Sequence, residues 1–240
     1  MNAQWVYPGG NWAMHAQTST ATGDHAAAMG NGTTASGSRS TSMGNQTTAS
    51  GNNSTTMGYF TTASGNKTTA MGANTTASDY ASLVVGQYNS SGSSVTNSAT
   101  SFNTANTAFV IGNGTDSSNR SDAFKVMFNG DTTVGGDITI SSDARLKSNI
   151  VSLGSTLSKL LLIDGKSYEK DGKQRIGVLA QEIQEVFPEL VIEDGNEMLA
   201  VNYQGLVPVL INALKEQDKI IKSQEERLTN IEKLIAKLND

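Results

Sequence analysis

The chain has 240 residues, with 17 basic and 22 acidic side chains for a formal charge of −5, and it contains no cysteine. A thiolate nucleophile and a disulfide frame are therefore excluded, and with His15 and His25 as the sole imidazoles neither a zinc or haem site nor a Ser-His-Asp hydrolase is expected; no cofactor and no metal are assigned. The mild acidity and dispersed Lys and Arg argue against nucleic-acid binding. No apolar run reaches the roughly 20 residues of a membrane span, and the opening MNAQWVYPGG lacks a secretion-signal pattern, so a soluble product made in the cytoplasm without membrane insertion is expected.

Residues 1–15 carry Trp5, Tyr7, Pro8 and Trp12 without periodicity and read as a cap, an attachment segment or a binding tip. From residue 16 a repeat begins. Met29, Met43, Met57 and Met71 stand 14 residues apart, each followed by glycine; glycine recurs every seven residues from Gly23 to Gly72, with Ala16 and Asp79 where the next ones would fall. The phrase TTAS starts at Thr33, Thr47, Thr61 and Thr75. Seven is also the coiled-coil period, but each helical glycine costs about 1 kcal/mol and Thr and Asn are poor helix formers. A parallel β-solenoid is the better fit over 16–92: one coil of two short strands per 14 residues, glycine supplying a positive φ at each corner, and Ala, Ser or Met pointing inward. Coils stack about 4.8 Å apart. At about 25 cal/mol per Å² the small side chains stabilise one such solenoid only marginally, and three packed around an axis are expected. With its closing phrase LVVGQYN at 83–89, the pattern resembles the head repeats of trimeric autotransporter adhesins, which implies a trimeric left-handed parallel β-roll over about residues 16–90. A rigid spacer with no binding role is the alternative to a receptor-binding head.

Residues 93–141 continue as a β-strand connector. Alternation at Phe124, Val126 and Phe128, a turn at Asn129 and Gly130, and Val134, Ile138 and Ile140 beyond it predict short strands and hairpins. Composition then breaks: residues 1–141 hold 10 charged side chains and residues 142–240 hold 29.

The second part contains three blocks in order, SDARLKSNI from Ser142, GVLAQEIQEVFPELV from Gly177 and VNYQGLVPVLINALKEQ from Val201. Together they resemble the C-terminal intramolecular chaperone domain of phage tailspikes, neck appendages and endosialidases, a family of self-cleaving peptidases. The resemblance implies a catalytic dyad of Ser142 and Lys147. Asp143 and Arg145 are expected in support, and the attacked carbonyl is expected to be that of Ser141, with the cut between Ser141 and Ser142 through an ester intermediate. A serine hydroxyl needs a base, and a lysine serves once burial and a neighbouring positive charge, here Arg145, lower its pKa; Asp143 would oppose that shift by pairing with the lysine and is assigned to positioning. A turn serine beside a solvated lysine is the bland alternative. Gln181, Glu182 and Glu189 in the second block are assigned to packing or capping.

The predicted α+β unit has a helix over 153–162, a hairpin pairing 166–169 with 174–179, a helix over 180–187 stopped by Pro188, and a hairpin pairing 190–193 with 197–201 across Asp194 and Gly195. Leu210, Leu214, Gln217, Ile221, Gln224, Leu228, Ile231, Ile235 and Leu238 then alternate spacings of four and three, the seam of a coiled coil within about 203–238. Heptads alone allow a dimer, whereas the three-fold roll upstream favours a parallel trimer. The expected whole is a homotrimeric tail fibre or appendage of a virion, touching other virion or tail proteins and a host-surface receptor or glycan, with a C-terminal chaperone removed by autoproteolysis. A catalytic tailspike that depolymerises polysaccharide and a bacterial surface adhesin are the alternatives, the former disfavoured because residues 1–141 have six acidic side chains and no paired carboxylates.

Overall fold

The computed structural model describes residues 4–6, 13–15 and 18–239. Tyr7, Pro8, Trp12 and Ala16, and with them most of the expected N-terminal segment, lie outside the described residues. The chain divides into two compact units, Met1–Ser141 and Ser142–Asp240.

In the first unit the 14-residue repeat is one coil of a β-solenoid. Five-residue strands Ala27–Asn31, Thr41–Asn45, Thr55–Tyr59, Thr69–Ala73 and Leu83–Gln87 alternate with two-residue strands such as Thr34–Ala35 and Thr48–Ala49. The sequence phase becomes the register, with Met29 opposite Met43, Met43 opposite Met57 and Met57 opposite Met71 in parallel pairs. Alternation along each strand turns Ala28, Ser42, Thr56, Ala70, Val84 and Val110 inward, all fully buried, against Ala35, Ala49, Ala63 and Ala77 of the second sheet. Many buried side chains here are polar and several bond internally: Thr56 Oγ1 donates to Ser42 Oγ at 2.9 Å, and Ser54 Oγ and Thr68 Oγ1 donate to the Gly51 and Gly65 carbonyls at 2.7 Å, whereas Thr33, Ser40 and Thr61 bury hydroxyls without a partner among the described residues.

Two expectations about the coil are corrected. Methionine points outward, with Met29 37% and Met57 43% exposed, because it stands one residue beyond the inward position and the period of a strand is two. Glycine turns the corners only in part. The left-handed corner positions belong to His25, Arg39, Asn53, Lys67 and Ala81 at φ 55–60° on one side and to Gly32, Gln46, Phe60, Asn74 and Tyr88 at φ 42–60° on the other, while Gly30, Gly44, Gly58, Gly72 and Gly86 carry a positive φ of 96–129° two residues before that second corner. Glycine also answers a second demand. A Cβ on Gly58, whose φ is +127°, would collide with the carbonyl of Gly72 in the next coil. Gly58→Ala is therefore expected to destabilise the solenoid by about 3 kcal/mol, read as a lower midpoint in denaturant unfolding at unchanged slope.

The seven-residue glycine rhythm breaks at Asp79. Its carboxylate, buried where a glycine would fall, accepts from Thr96 N (2.6 Å), Thr96 Oγ1 (2.8 Å) and Thr107 N (2.8 Å). That anchor returns the chain as Thr107–Asn113, parallel to Leu83–Gln87 with Val84 opposite Val110, and antiparallel strands Asp122–Met127 and Thr132–Val134 complete the ten-stranded sheet. No strand forms at Ile138 and Ile140, which are 65% and 58% exposed.

The second unit is α+β. Helix α1 (Leu157–Leu160) precedes the hairpin Lys166–Lys170 and Lys173–Gly177, whose turn residues Asp171 and Gly172 both have positive φ, as a two-residue loop between right-twisted strands requires. Helix α2 (Ala180–Val186) ends before Pro188, and the hairpin Val191–Glu193 with Leu199–Val201 leads into helix α3 (Leu206–Asn239). Ile183, Phe187 and Val209 centre the core, with Leu160, Val178 and Val201 packed on them. The helix expected over 153–162 shrinks to α1, since Gly154 has a φ of +71° and residues before Leu157 are non-helical. The expected 197–201 strand starts at Leu199 because Asp194 Oδ1 accepts from the backbone of Asn196 and Met198, widening the turn.

Helix α3 has two apolar faces. Val209 and Ala213 are buried on the core, whereas Leu210, Leu214, Ile221, Leu228, Ile231 and Ile235 on the heptad seam are 45–65% exposed. Every residue with a described side chain after Glu216 is exposed. Among the described residues no helix is long and apolar enough to cross a membrane.

Candidate functional site

The second unit opens with a short hydrogen-bonded turn that Asp143 organises. Its Oδ1 accepts from the Arg145 backbone N–H at 2.9 Å, capping the 3-10 turn Ala144–Leu146, and the Leu146 and Lys147 N–H groups close back onto the carbonyls of Asp143 and Ala144 at 3.1 Å. The reversal returns Lys147 to the start of the turn, where Nζ donates to Ser142 Oγ at 2.7 Å. Five residues of separation thus become one hydrogen bond.

Arg145 grips the same carboxylate, Nε to Oδ1 at 3.1 Å and Nη2 to Oδ2 at 2.7 Å. The Arg145 side chain, and after it the Arg145 backbone N–H, hold the Asp143 carboxyl below the usual range, and the guanidinium is raised in turn. Asp143 is engaged by Arg145, which leaves the Lys147 amine facing Ser142. The expectation that burial and an uncompensated Arg145 charge act on Lys147 is not met within the single chain. Ser141, Ser142 and Lys147 are exposed, and the Arg145 charge is matched by Asp143. Chemically, a serine hydroxyl and a lysine amine at 2.7 Å can exchange a proton directly: the ammonium donates to Oγ, and after deprotonation the Oγ–H donates to the amine.

A further residue escaped sequence reasoning. Glu216 of α3 accepts from Thr156 N (2.6 Å), Ser155 Oγ (2.7 Å), Thr156 Oγ1 (3.3 Å) and Leu157 N (3.4 Å), capping α1 from another element. A cap supplied sixty residues away leaves no local signature, and the sequence context of Glu216 is that of any solvated helix position. These hydrogen bonds, led by the Thr156 N–H, hold its carboxyl below the usual range. A depressed folded-state pKa means the clasp stabilises fully above the ordinary carboxylate range and is lost as pH falls through the depressed value. Thr156 N–H protection in hydrogen exchange is accordingly expected to persist at pH 5 and to fall only in stronger acid. Glu182 also binds another segment, accepting from Asp164 N at 3.0 Å in the loop before the first hairpin and pairing with Lys166 at 3.3 Å.

Residues 142–192 match the family model described as chaperone of endosialidase, and segments 21–47, 35–61 and 63–89 match the YadA head domain repeat. The chain carries an endosialidase-type chaperone domain preceded by autotransporter-type head repeats. It is also 34% identical over 103 residues to the long tail fiber protein Gp37 of Enterobacteria phage K3 and, over the same length, to that of phage T2, in each case covering 38% of this chain. The long tail fiber protein Gp37 of Escherichia phage AR1 is 33% identical over 92 residues, 33% of this chain. The match spans only 8% of the length of each of these relatives.

Proposed function

We propose that the protein is a structural component of a phage tail fibre or appendage, located in the virion, whose endosialidase-type chaperone drives homotrimer assembly and is then released by self-cleavage. The observation that carries this reading is the 2.7 Å contact of Lys147 Nζ with Ser142 Oγ inside a segment that matches the chaperone family. Lys147 removes the Oγ proton, Oγ attacks the carbonyl carbon of Ser141, and the C–N bond breaks as the proton passes to the departing Ser142 nitrogen. An ester joins the Ser141 carbonyl to Oγ. Water then hydrolyses it, leaving a carboxylate on Ser141 and a free amine on Ser142. The reaction is single turnover and relies on proximity, since nucleophile and scissile bond lie in one chain.

The exposed seam of α3 supports a parallel three-stranded coiled coil, and the outward column Met29, Met43, Met57 and Met71 gives the solenoid an apolar face for its two neighbours in a left-handed roll. The exposure of the dyad fits cleavage that awaits assembly, with neighbouring copies supplying the missing burial. The head repeats then present a host-surface receptor site or space one from the particle. The test is denaturing mass spectrometry of freshly made wild-type chain. Two species are expected, residues 1–141 and a fragment beginning at Ser142; a single 25.2 kDa species would refute self-cleavage.

A further inference from the structure

The arm that carries the dyad is tied to its unit at one place. Residues 148–154 make no hydrogen bond to any other part of the unit among the described residues, and Ile150, Val151 and Leu153 are 51–83% exposed. The first tie after Lys147 is the Glu216 clasp on Ser155, Thr156 and Leu157. It is firmly seated, because Thr156 is 1% exposed and its Oγ1 also donates to the Val209 carbonyl at 3.1 Å. Glu216 itself directly precedes Gln217, a seam position of α3.

We propose that Glu216 is a positioning residue that transmits the register of the assembled α3 helices to the Ser142–Lys147 pair; the inference rests on the self-cleavage reading above. A helix is stiff, so fixing the seam fixes the Glu216 carboxylate with it, and the carboxylate fixes where the arm departs. From that point seven residues, 148–154, separate the clasp from Lys147, a reach of at most about 28 Å over eight steps of roughly 3.5 Å. With the clasp closed the dyad explores a small volume beside the seam, where other copies of the chain arrive. With it open the origin of the arm is no longer fixed to the seam, and the dyad meets the neighbouring copies that would supply its burial less often. Both carboxylate oxygens are needed: Oε1 serves Thr156 and Oε2 serves Ser155 and Leu157. A carboxamide keeps one acceptor oxygen and turns an NH₂ donor toward groups that themselves donate.

The experiment follows full-length wild type, Glu216→Gln and Glu216→Ala in pulse-labelled cell-free translation, separating trimer from monomer and timing the cut within the trimer fraction. Cleavage in trimers is expected to slow about 10-fold for the Gln variant and about 100-fold for the Ala variant. A merely stabilising carboxylate would lower the thermal midpoint and leave the rate in assembled trimers unchanged, and that result overturns the inference. Should Glu216→Ala not assemble, Ser155→Ala decides, since it removes one exposed donor of the clasp; a rate reduced about threefold in trimers supports the inference and a wild-type rate overturns it. An uncut wild type overturns the self-cleavage reading and the inference together, whereas cut wild type with equally cut variants overturns the inference alone.

Discussion

Ser142→Ala is expected to yield an intact chain of 25.2 kDa on a denaturing gel, where wild type is expected to yield two fragments. Removing Oγ removes the proposed nucleophile, so the expected loss is complete rather than partial. Lys147→Ala is expected to match it, because without an amine 2.7 Å from Oγ no group on the turn takes up the hydroxyl proton: Asp143 is occupied by Arg145 and Arg145 does not deprotonate in proteins. Lys147→Arg separates charge from basicity. The guanidinium retains a donor to Oγ but cannot act as a base, so this variant is expected to stay uncut, and cleavage by it at more than a few per cent of the wild-type extent would remove Lys147 from the mechanism. Asp143→Asn should be milder, since the amide oxygen still caps the turn while the pair with Arg145 is lost. A slowed but completed cut is expected.

The second large effect belongs to the seam. Ile221→Asp together with Leu228→Asp puts two carboxylates per chain into positions that a trimer would desolvate, at a cost of several kcal/mol each when unpaired. Neither residue touches the core of its own unit, as both lie on the part of α3 where all described side chains are exposed. The α+β unit should therefore fold, with native far-ultraviolet signal from its hairpins and short helices, while sedimentation shows monomer and the chain stays uncut. A solenoid with an apolar methionine column and no neighbours would then be aggregation-prone. On the proposed reading, local helical contacts would bring three chains together before non-local strand pairing begins, so losing the seam would remove the step on which the roll depends. A double variant that still sediments as trimer and is cut at the wild-type rate would show that α3 does not drive assembly.

Much of this architecture was legible because it rests on periodicity. A 14-residue spacing of methionine can be satisfied in register only by stacking one repeat on the next, and Met29, Met43, Met57 and Met71 do stack. What the spacing could not reveal is which side of the strand methionine takes, since Met29 and Ala28 share the period and differ only in phase; the resolution is that a bore lined by Ala, Ser and Thr has room for methyls and hydroxyls. Glycine is ambiguous for a similar reason. Its recurrence signals a backbone demand without saying which: Gly30, Gly44, Gly58 and Gly72 combine a positive φ with a close approach, Gly23, Gly37 and Gly51 have the close approach alone, and the corners also tolerate His25, Arg39 and Phe60. In the second unit the Ser142–Lys147 pair is expected from the resemblance carried by SDARLKSNI, since a serine and a lysine five apart are a weak signal alone, whereas the Glu216 clasp joins positions 60 residues apart and is written in neither segment alone. Asp79 is an intermediate case: the break in the glycine rhythm marked the place, but the backbone N–H groups it binds, at Thr96 and Thr107, are tertiary facts.

On the proposed reading three copies of α3 clamp a solenoid that would be marginal as a single chain. Native mass spectrometry of the uncut Ser142→Ala chain at low micromolar concentration addresses this most directly. The expected result is a species three times the 25.2 kDa chain, with no folded monomer. A folded 25.2 kDa protomer with a protected solenoid in hydrogen exchange would contradict it.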